Sequence, residues 1–395
     1  MARGRGGFIG QDGLNAPDSP TSVSGTGGDS SVSVAFTAPT NVGGSAITGY
    51  RVQDGTKAHG ASGTSSPINV TGLTNGTTYT FNVWAINAFG YSAPSDTSAG
   101  VTPVAPPLAV FFNGNGNNVI DFVTISTTGN ATDWGDADTT DQTHGSAGSS
   151  TRGVSASYSA DYDYITYAST GNAVHFGDIT GATGLYISGV SSSTRGVFYS
   201  GNGTTGSSDM EYITIASTGN GTDYGDMSDS NFQFMTNQVT SPTRGLFCGG
   251  TKSGAADNDV IRYVTIASTG NTTNFGDLTQ ARFKAAGASS NTRGLIAGGA
   301  ANGASSIYNI IDYVTIASTG NATDFGDSTV TRYDLGGTSS GIRAVFNGGY
   351  NGSYAAINTI DYVTIASTGN AADFGDMTTT KTACGAIGPA HGGIS

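Results

Sequence analysis

The phrase "IDYVTIASTGNATDFGD", Ile311 to Asp327, returns in close copies along most of the chain. This repetition constrains the fold more than any other feature. The glycine of its Ser-Thr-Gly-Asn step, or of the Thr-Thr-Gly-Asn variant in the first copy, falls at Gly129, Gly171, Gly219, Gly270, Gly320 and Gly369, at intervals of 42, 48, 51, 50 and 49 residues. A period near 50 with alternating apolar and polar residues marks a small β-sheet repeated in tandem. A sheet of that size cannot bury both faces alone, so each unit must pack on its neighbours.

Each unit reads as four strands. In one copy they are "FKAAGASS" (Phe283 to Ser290), "NTRGLIAGG" (Asn291 to Gly299), "IDYVTIA" and "ATDFGDS". The Gly and Asn of Ser-Thr-Gly-Asn suit the positive φ of a tight hairpin between the last two. The run "LAVFFNGNG" opens the array without an innermost strand before it, and "KTACGAIG" (Lys381 to Gly388) is such a strand at the other end. The expectation is that the late strand completes the first unit and closes a ring free of exposed edges.

Composition narrows the class. The 395 residues suffice for two or three domains of roughly 100–200 residues each. The formal charge of −13 comes almost wholly from aspartate, since Glu211 is the only glutamate and Lys57, Lys252, Lys284 and Lys381 are the only lysines. A chain without a basic face does not displace counterions from a polyanion, so nucleic acid is excluded as a partner. Scarce Lys and Glu argue against exposed helices. Cys248 and Cys384 lie in apolar strands and read as buried free thiols. No run approaches the ~20 apolar residues that span a bilayer, and "MARGRGGFIG" has no apolar secretory core, so neither membrane insertion nor signal-peptide export is expected.

Residues 1–14 form a Gly/Arg-rich arm, 15–104 one domain, 105–108 a Pro-rich linker and 109–395 the repeats. The first domain alternates in "SVSVAFTAP", "ITGYRVQ", "INVTGL" and "TTYTFNVWAINAFG", the pattern of a small antiparallel sandwich. It resembles a fibronectin type III domain, with Pro17 and Pro20 at the start, Tyr50 on the third strand, Leu73 before a corner Tyr79, and Ala85-Ile86-Asn87 leading to Gly90 and Ser92. Phe36 stands where such domains carry tryptophan, and no Arg-Gly-Asp tripeptide is present. The repeats resemble kelch repeats: an apolar strand ends in Gly249-Gly250, Gly298-Gly299 or Gly348-Gly349, a Tyr-bearing strand follows, and then an aromatic such as Phe325 or Trp134. The resemblance implies an all-β chain in which a fibronectin III-like β-sandwich precedes a six-bladed kelch-like β-propeller closed by the C-terminal strand.

In such a ring the nearly invariant Thr-Arg-Gly and Ser-Thr-Gly-Asn turns share one face, and the divergent loops share the other. Tyr158, Tyr162, Phe232, Phe234, Tyr308, Tyr350 and Tyr354 fall in or beside those loops, among Asn, Ser and Asp. Aromatic faces beside hydrogen-bonding groups are the composition that binds sugars or a partner protein. Arg152, Arg195, Arg244, Arg293 and Arg343, with His391 at a sixth place, would ring the axis. They either bind an anion or pair with Asp136, Asp178, Asp226, Asp277, Asp327 and Asp376 to staple neighbouring units. Four histidines, His59, His144, His175 and His391, show no metal-ligand spacing, so no metal, cofactor or catalytic site is expected.

The arm, the fibronectin-like domain and the "YVTIASTGNATDFGD" repeats together resemble structural proteins of tailed bacteriophages, particularly those infecting marine cyanobacteria. The resemblance implies a virion appendage: a tail fibre, baseplate protein or capsid-attached decoration protein, multimeric on the particle. Its arm, through Arg3, Arg5, Phe8 and Ile9, would dock onto other virion proteins, and its propeller would contact host surface polysaccharide. A purely structural decoration or assembly protein binding other virion proteins is the alternative, and a glycan-active enzyme the third reading.

Overall fold

A computed structural model describes residues 15–394 apart from 115, 141, 182–186, 202–207, 229–231, 234, 236–237 and 253–256; side chains at 143, 144, 232 and 252 are likewise outside the description. The arm residues Arg3, Arg5, Phe8 and Ile9, and also Phe234, lie outside the described residues. The chain is all-β and divides into two units between Pro106 and Pro107. Among the described residues no helix is long and apolar enough to cross a membrane.

The first unit is a sandwich of two antiparallel sheets. One joins β1 (Thr21–Gly28), β2 (Ser31–Thr37) and β5 (Ile68–Thr71) in the order β1-β2-β5. The other joins β3 (Gly49–Asp54), β4 (Gly60–Gly63), β6 (Phe81–Asn87) and β7 (Gly90–Tyr91) in the order β4-β3-β6-β7. Period-two alternation sends Val32, Val34 and Phe36 of β2 and Phe81, Val83 and Ala85 of β6 into a common core. The Phe36 ring lies 4.7 Å from Tyr50, so it fills the space between the sheets. The Tyr79 hydroxyl accepts the Thr74 N–H at 3.0 Å, pinning the loop that carries buried Leu73.

Among the described residues, the second unit contains six four-stranded antiparallel sheets, called here I to VI. Sheet I has β8 (Leu108–Phe111), β9 (Val119–Thr124) and β10 (Thr132–Asp136), and the late strand Ala386–Ile387 pairs with β8 through Ala386 opposite Phe111 and Ile387 opposite Val110. Sheet II is β11 (Thr143–Gly148), β12 (Arg152–Ser157), β13 (Asp161–Thr166) and β14 (Val174–Asp178). Sheets III to VI repeat that order and end on Thr222–Asp226, Thr273–Asp277, Thr323–Asp327 and Ala372–Asp376. Separate apolar clusters fill the spaces between successive sheets; Val190 and Val197 of sheet III, for example, pack with Phe247 and Val264 of sheet IV.

The repeated phrase makes these boundaries. Its turn is closed earlier than the sequence suggests, by bonds such as Ser318 N–H to Thr315 O, and the Gly-Asn step instead runs along the preceding sheet. There Gly320 N–H donates to Phe275 O and Ala322 N–H to Asp277 O, while Asn321 Oδ1 accepts from Asp277 N–H. The same three bonds recur at all six boundaries, with main-chain distances of 2.7–2.9 Å, and the series returns to its start where Gly129 and Ala131 donate to Phe374 and Asp376 of sheet VI. The Phe-Gly-Asp glycine is required for the same reason: a Cβ on Gly276 would overlap the carbonyl of Gly320 on the next sheet. Steric access and a φ of 157°, which residues with a Cβ rarely adopt, together keep glycine there.

A second repeated device is buried. The third strand of each sheet places one polar side chain against the connection arriving from the previous sheet. Asp312 is held by Arg282 at 3.0 Å and Thr279 Oγ1 at 2.6 Å, Asp361 by Arg332 at 2.8 Å, and Asp121 by Lys381 at 2.9 Å, every one of these ion-pair side chains being fully buried. Burial holds the Lys381 ammonium below its ordinary pKa, and the charge of Asp121 opposes that shift. In sheet III, Glu211 fills the place and accepts from Thr180 N–H and Oγ1, while sheet IV has Arg262 there.

Two stability predictions arise. Gly276→Ala should lower stability by roughly 1–3 kcal/mol in urea unfolding, with an unchanged denaturant slope, because backbone must move to admit the methyl group. Arg282→Met should cost about 3–5 kcal/mol by leaving Asp312 buried without its cation, whereas Arg282→Met combined with Asp312→Leu should recover most of that loss.

Candidate functional site

The two sides of the repeat unit use their residues differently. On one side each repeat arginine rises from the start of its sheet's second strand. Arg152, Arg195, Arg244, Arg293 and Arg343 lie 4.2–4.6 Å from the ring centres of Tyr164, Tyr212, Tyr263, Tyr313 and Tyr362 on their own sheets. From that stack each donates to a carbonyl on the next sheet: Arg152 to Ile215, Arg195 to Ile266, Arg244 to Ile316, Arg293 to Ile365 and Arg343 to Ile125, at 2.9–3.2 Å. None forms an ion pair with Asp136, Asp178, Asp226, Asp277, Asp327 or Asp376. Those residues are tied through their main chain to the neighbouring sheet. The guanidinium groups bridge sheets through turn carbonyls and are not directed into one axial anion site.

His391, expected as a sixth member of that set, is buried where the first strands of sheets II, III and IV meet. Its Nε2 lies 2.9 Å from Gly148 O and its Nδ1 accepts the Gly393 N–H at 3.1 Å, which assigns the proton to Nε2. Ser191 Oγ and Thr240 Oγ1 complete the surroundings, each 3.4 Å from a ring nitrogen. One imidazole therefore touches sheets II, III and IV. Burial depresses its pKa to about 4, only partly offset by the Gly148 carbonyl.

The opposite side carries the divergent loops. Tyr158 is 50% exposed on the turn between β12 and β13, and Tyr354 is 58% exposed with its hydroxyl donating to Ala304 O at 3.0 Å. The Tyr350 ring stacks on Tyr333 at 5.4 Å and 30°. Lys284 Nζ lies 2.8 Å from Asp334 and 5.8 Å from the Tyr333 ring centre, and half-buried Tyr308 follows in the same group of loops. Two short ribbons hold this surface, Ala300–Ala301 with Ser306–Ile307 and Arg332–Tyr333 with Tyr350–Asn351. Burial and the neighbouring Asp334 hold the Tyr333 phenol above its ordinary pKa.

Tyr162 does not belong to that surface. Its side chain is fully buried against Phe198 at 4.9 Å, because strand alternation turns residue 162 of β13 between sheets II and III. Phe232 lies on a short strand pairing with Thr251–Lys252, and its side chain is outside the description. Sequence reading missed Tyr333, Lys284 and Asp334. The signal was present in the period: "RFK" at 282–284 and "RYD" at 332–334 are equivalent triplets on adjacent sheets, so their last residues, of opposite charge, meet.

Comparison with known proteins speaks to the first unit. Residues 17–101 match the fibronectin type III domain model, and the N-terminal sandwich is a domain of that class. A solved structure similar in sequence is the crystal structure of domains A168-A170 from titin, 31% identical over 23% of this chain, with a TM-score of 0.22; the match spans 33% of that chain's length.

The buried imidazole gives a pH prediction. The folded pKa of His391 lies below the ordinary value of 6.5, so its contribution is fully present above pH 6.5 and is lost as pH falls toward 4. The loss should be on the order of 3 kcal/mol. His391→Gln should flatten the stability profile of the repeat unit in that interval, as measured by urea unfolding at stepped pH.

Proposed function

We propose that sheets I to VI form a six-bladed, kelch-like β-propeller, and that the chain is a non-catalytic appendage of a tailed-phage virion whose divergent face binds host surface polysaccharide. The ring reading rests on boundary bonds that repeat six times and return from sheet VI to sheet I. The binding reading rests on one observation above others: the repeated side is consumed in holding sheets together, while the divergent side leaves Tyr354 exposed beside the Tyr333/Tyr350 stack and the Lys284/Asp334 pair. Aromatic faces flanked by charged hydrogen-bonding groups suit sugar rings and their hydroxyls. Catalysis needs an asymmetric set of groups at one place, and the repeated side carries the same few groups at successive boundaries.

In this reading the fibronectin type III domain is a spacer, and residues 1–14 dock the chain onto another virion protein. Weak individual sites gain strength from the many copies carried by a particle. A decoration protein using the same face to contact another virion component is the second reading, and one experiment separates the two. Full-length protein displayed in many copies should bind host cells and their isolated surface polysaccharide, and Tyr354→Ala with Tyr308→Ala should weaken binding at least tenfold without changing the far-ultraviolet circular dichroism. Failure of the folded, multivalent protein to bind either material, with retention of binding to other virion proteins, would replace the attachment reading by the decoration reading.

A further inference from the structure

Sheet II carries a group of ligating side chains that the other sheets do not reproduce among the described residues. Ligand atoms of Asp161, His175 and Asp178 all lie within 4.8 Å of one another. His175 Nε2 and Asp178 Oδ1 are already 3.6 Å apart. Ligands about 2.0–2.2 Å from a tetrahedral ion stand roughly 3.4 Å apart, so modest side-chain rotation would bring the three onto one centre.

Their convergence follows from a bulge. Asp161 pairs with Asp178 and Asp163 with His175 across β13 and β14, and the register shifts between the two pairs. Residues three apart on a regular strand face opposite ways; the extra residue, Phe176, turns His175 and Asp178 to the same side. That side also bears Asp161 and Asp163, which are two apart on β13.

Asp163 supplies a second, independent observation. It is 2% exposed, and its Oδ1 is buried with no hydrogen-bond partner. Asp138, on the connection after sheet I, is its side-chain hydrogen-bond partner, and across the strands Asp163 pairs with His175. Among the described residues no cationic side chain pairs with Asp163. Sheets V, VI and I place Arg282, Arg332 and Lys381 at the corresponding point.

We infer that Asp161, His175 and Asp178 bind a divalent zinc-type ion, with water in the remaining position. One imidazole among carboxylates favours a borderline ion such as Zn²⁺ over the all-oxygen sets of Ca²⁺ or Mg²⁺. The site is independent of the polysaccharide reading. Asp161 follows directly on the exposed Tyr158 turn between β12 and β13.

The test is Zn²⁺ titration of the full chain by calorimetry, with thermal unfolding in parallel. His175 and Asp178 are 52% and 57% exposed, so His175→Ala and Asp178→Asn should fold normally. Wild type should bind one Zn²⁺ saturably and unfold at higher temperature with it. Both variants should bind at least tenfold more weakly and lose the thermal shift, while Asp324→Asn, at the His175 place of sheet V, should match wild type. Absence of saturable binding in wild type would overturn the assignment. So would binding that survives His175→Ala unchanged, as expected if the ion were held elsewhere, such as at His59 and Asp54.

Discussion

The hydrogen bonds between Gly-Asn of one sheet and Phe-Gly-Asp of the sheet before it are the interaction on which the rest of the second unit depends. An isolated four-stranded sheet leaves an outer strand with unpaired main-chain groups. Here those groups are taken by the neighbouring unit at main-chain distances of 2.7–2.9 Å. One phrase provides donors to the sheet before it and acceptors to the sheet after it, so each copy has to be compatible with two neighbours at once. That double duty explains why the Phe-Gly-Asp glycine does not vary among the six copies.

The buried polar position on each third strand works in the opposite sense, by making the sheets unequal. The connection from sheet IV to sheet V carries Arg282 and meets Asp312. Arg262 occupies the same place in sheet IV, and a sheet bearing it could not follow that connection without setting two guanidinium groups against each other out of water. Shared boundary bonds permit any sheet to stack on any other; these buried groups discourage the wrong order. The repeats are therefore interchangeable in their main chain and individual in their interiors.

Much of this was legible beforehand. Alternation and the double glycines marked the strands, and "KTACGAIG" was read as the partner of the first unit; Ala386 and Ile387 do pair with Phe111 and Val110. What periodicity could not reveal was where bonds go once a turn faces another sheet. Gly320 and Asn321 look like hairpin residues, and the arginines look like partners for the aspartates of Gly-Asp turns, because spacing carries no information about the neighbouring unit. Tyr158 and Tyr162 look alike in sequence, yet one is exposed and the other sits between sheets, the difference being a single face of β13. His175 and Asp178 show no ligand spacing because the bulge at Phe176 reverses the usual rule for residues three apart.

Five sheets carry the arginine that crosses to the next sheet, and one does not. Leu108 pairs with Thr124 just as Arg152 pairs with Thr166, so Leu108 holds the arginine's place in sheet I. The boundary between sheets I and II keeps its main-chain bonds and the apolar packing of Ile165, Trp134 and Ile387, but has no guanidinium across it. In the ring proposed above, a circle of six joints with one lighter joint has a preferred seam. Thermal opening, amide exchange and entry of a protease would then begin at that seam, giving a set of near-copies a defined place to come apart.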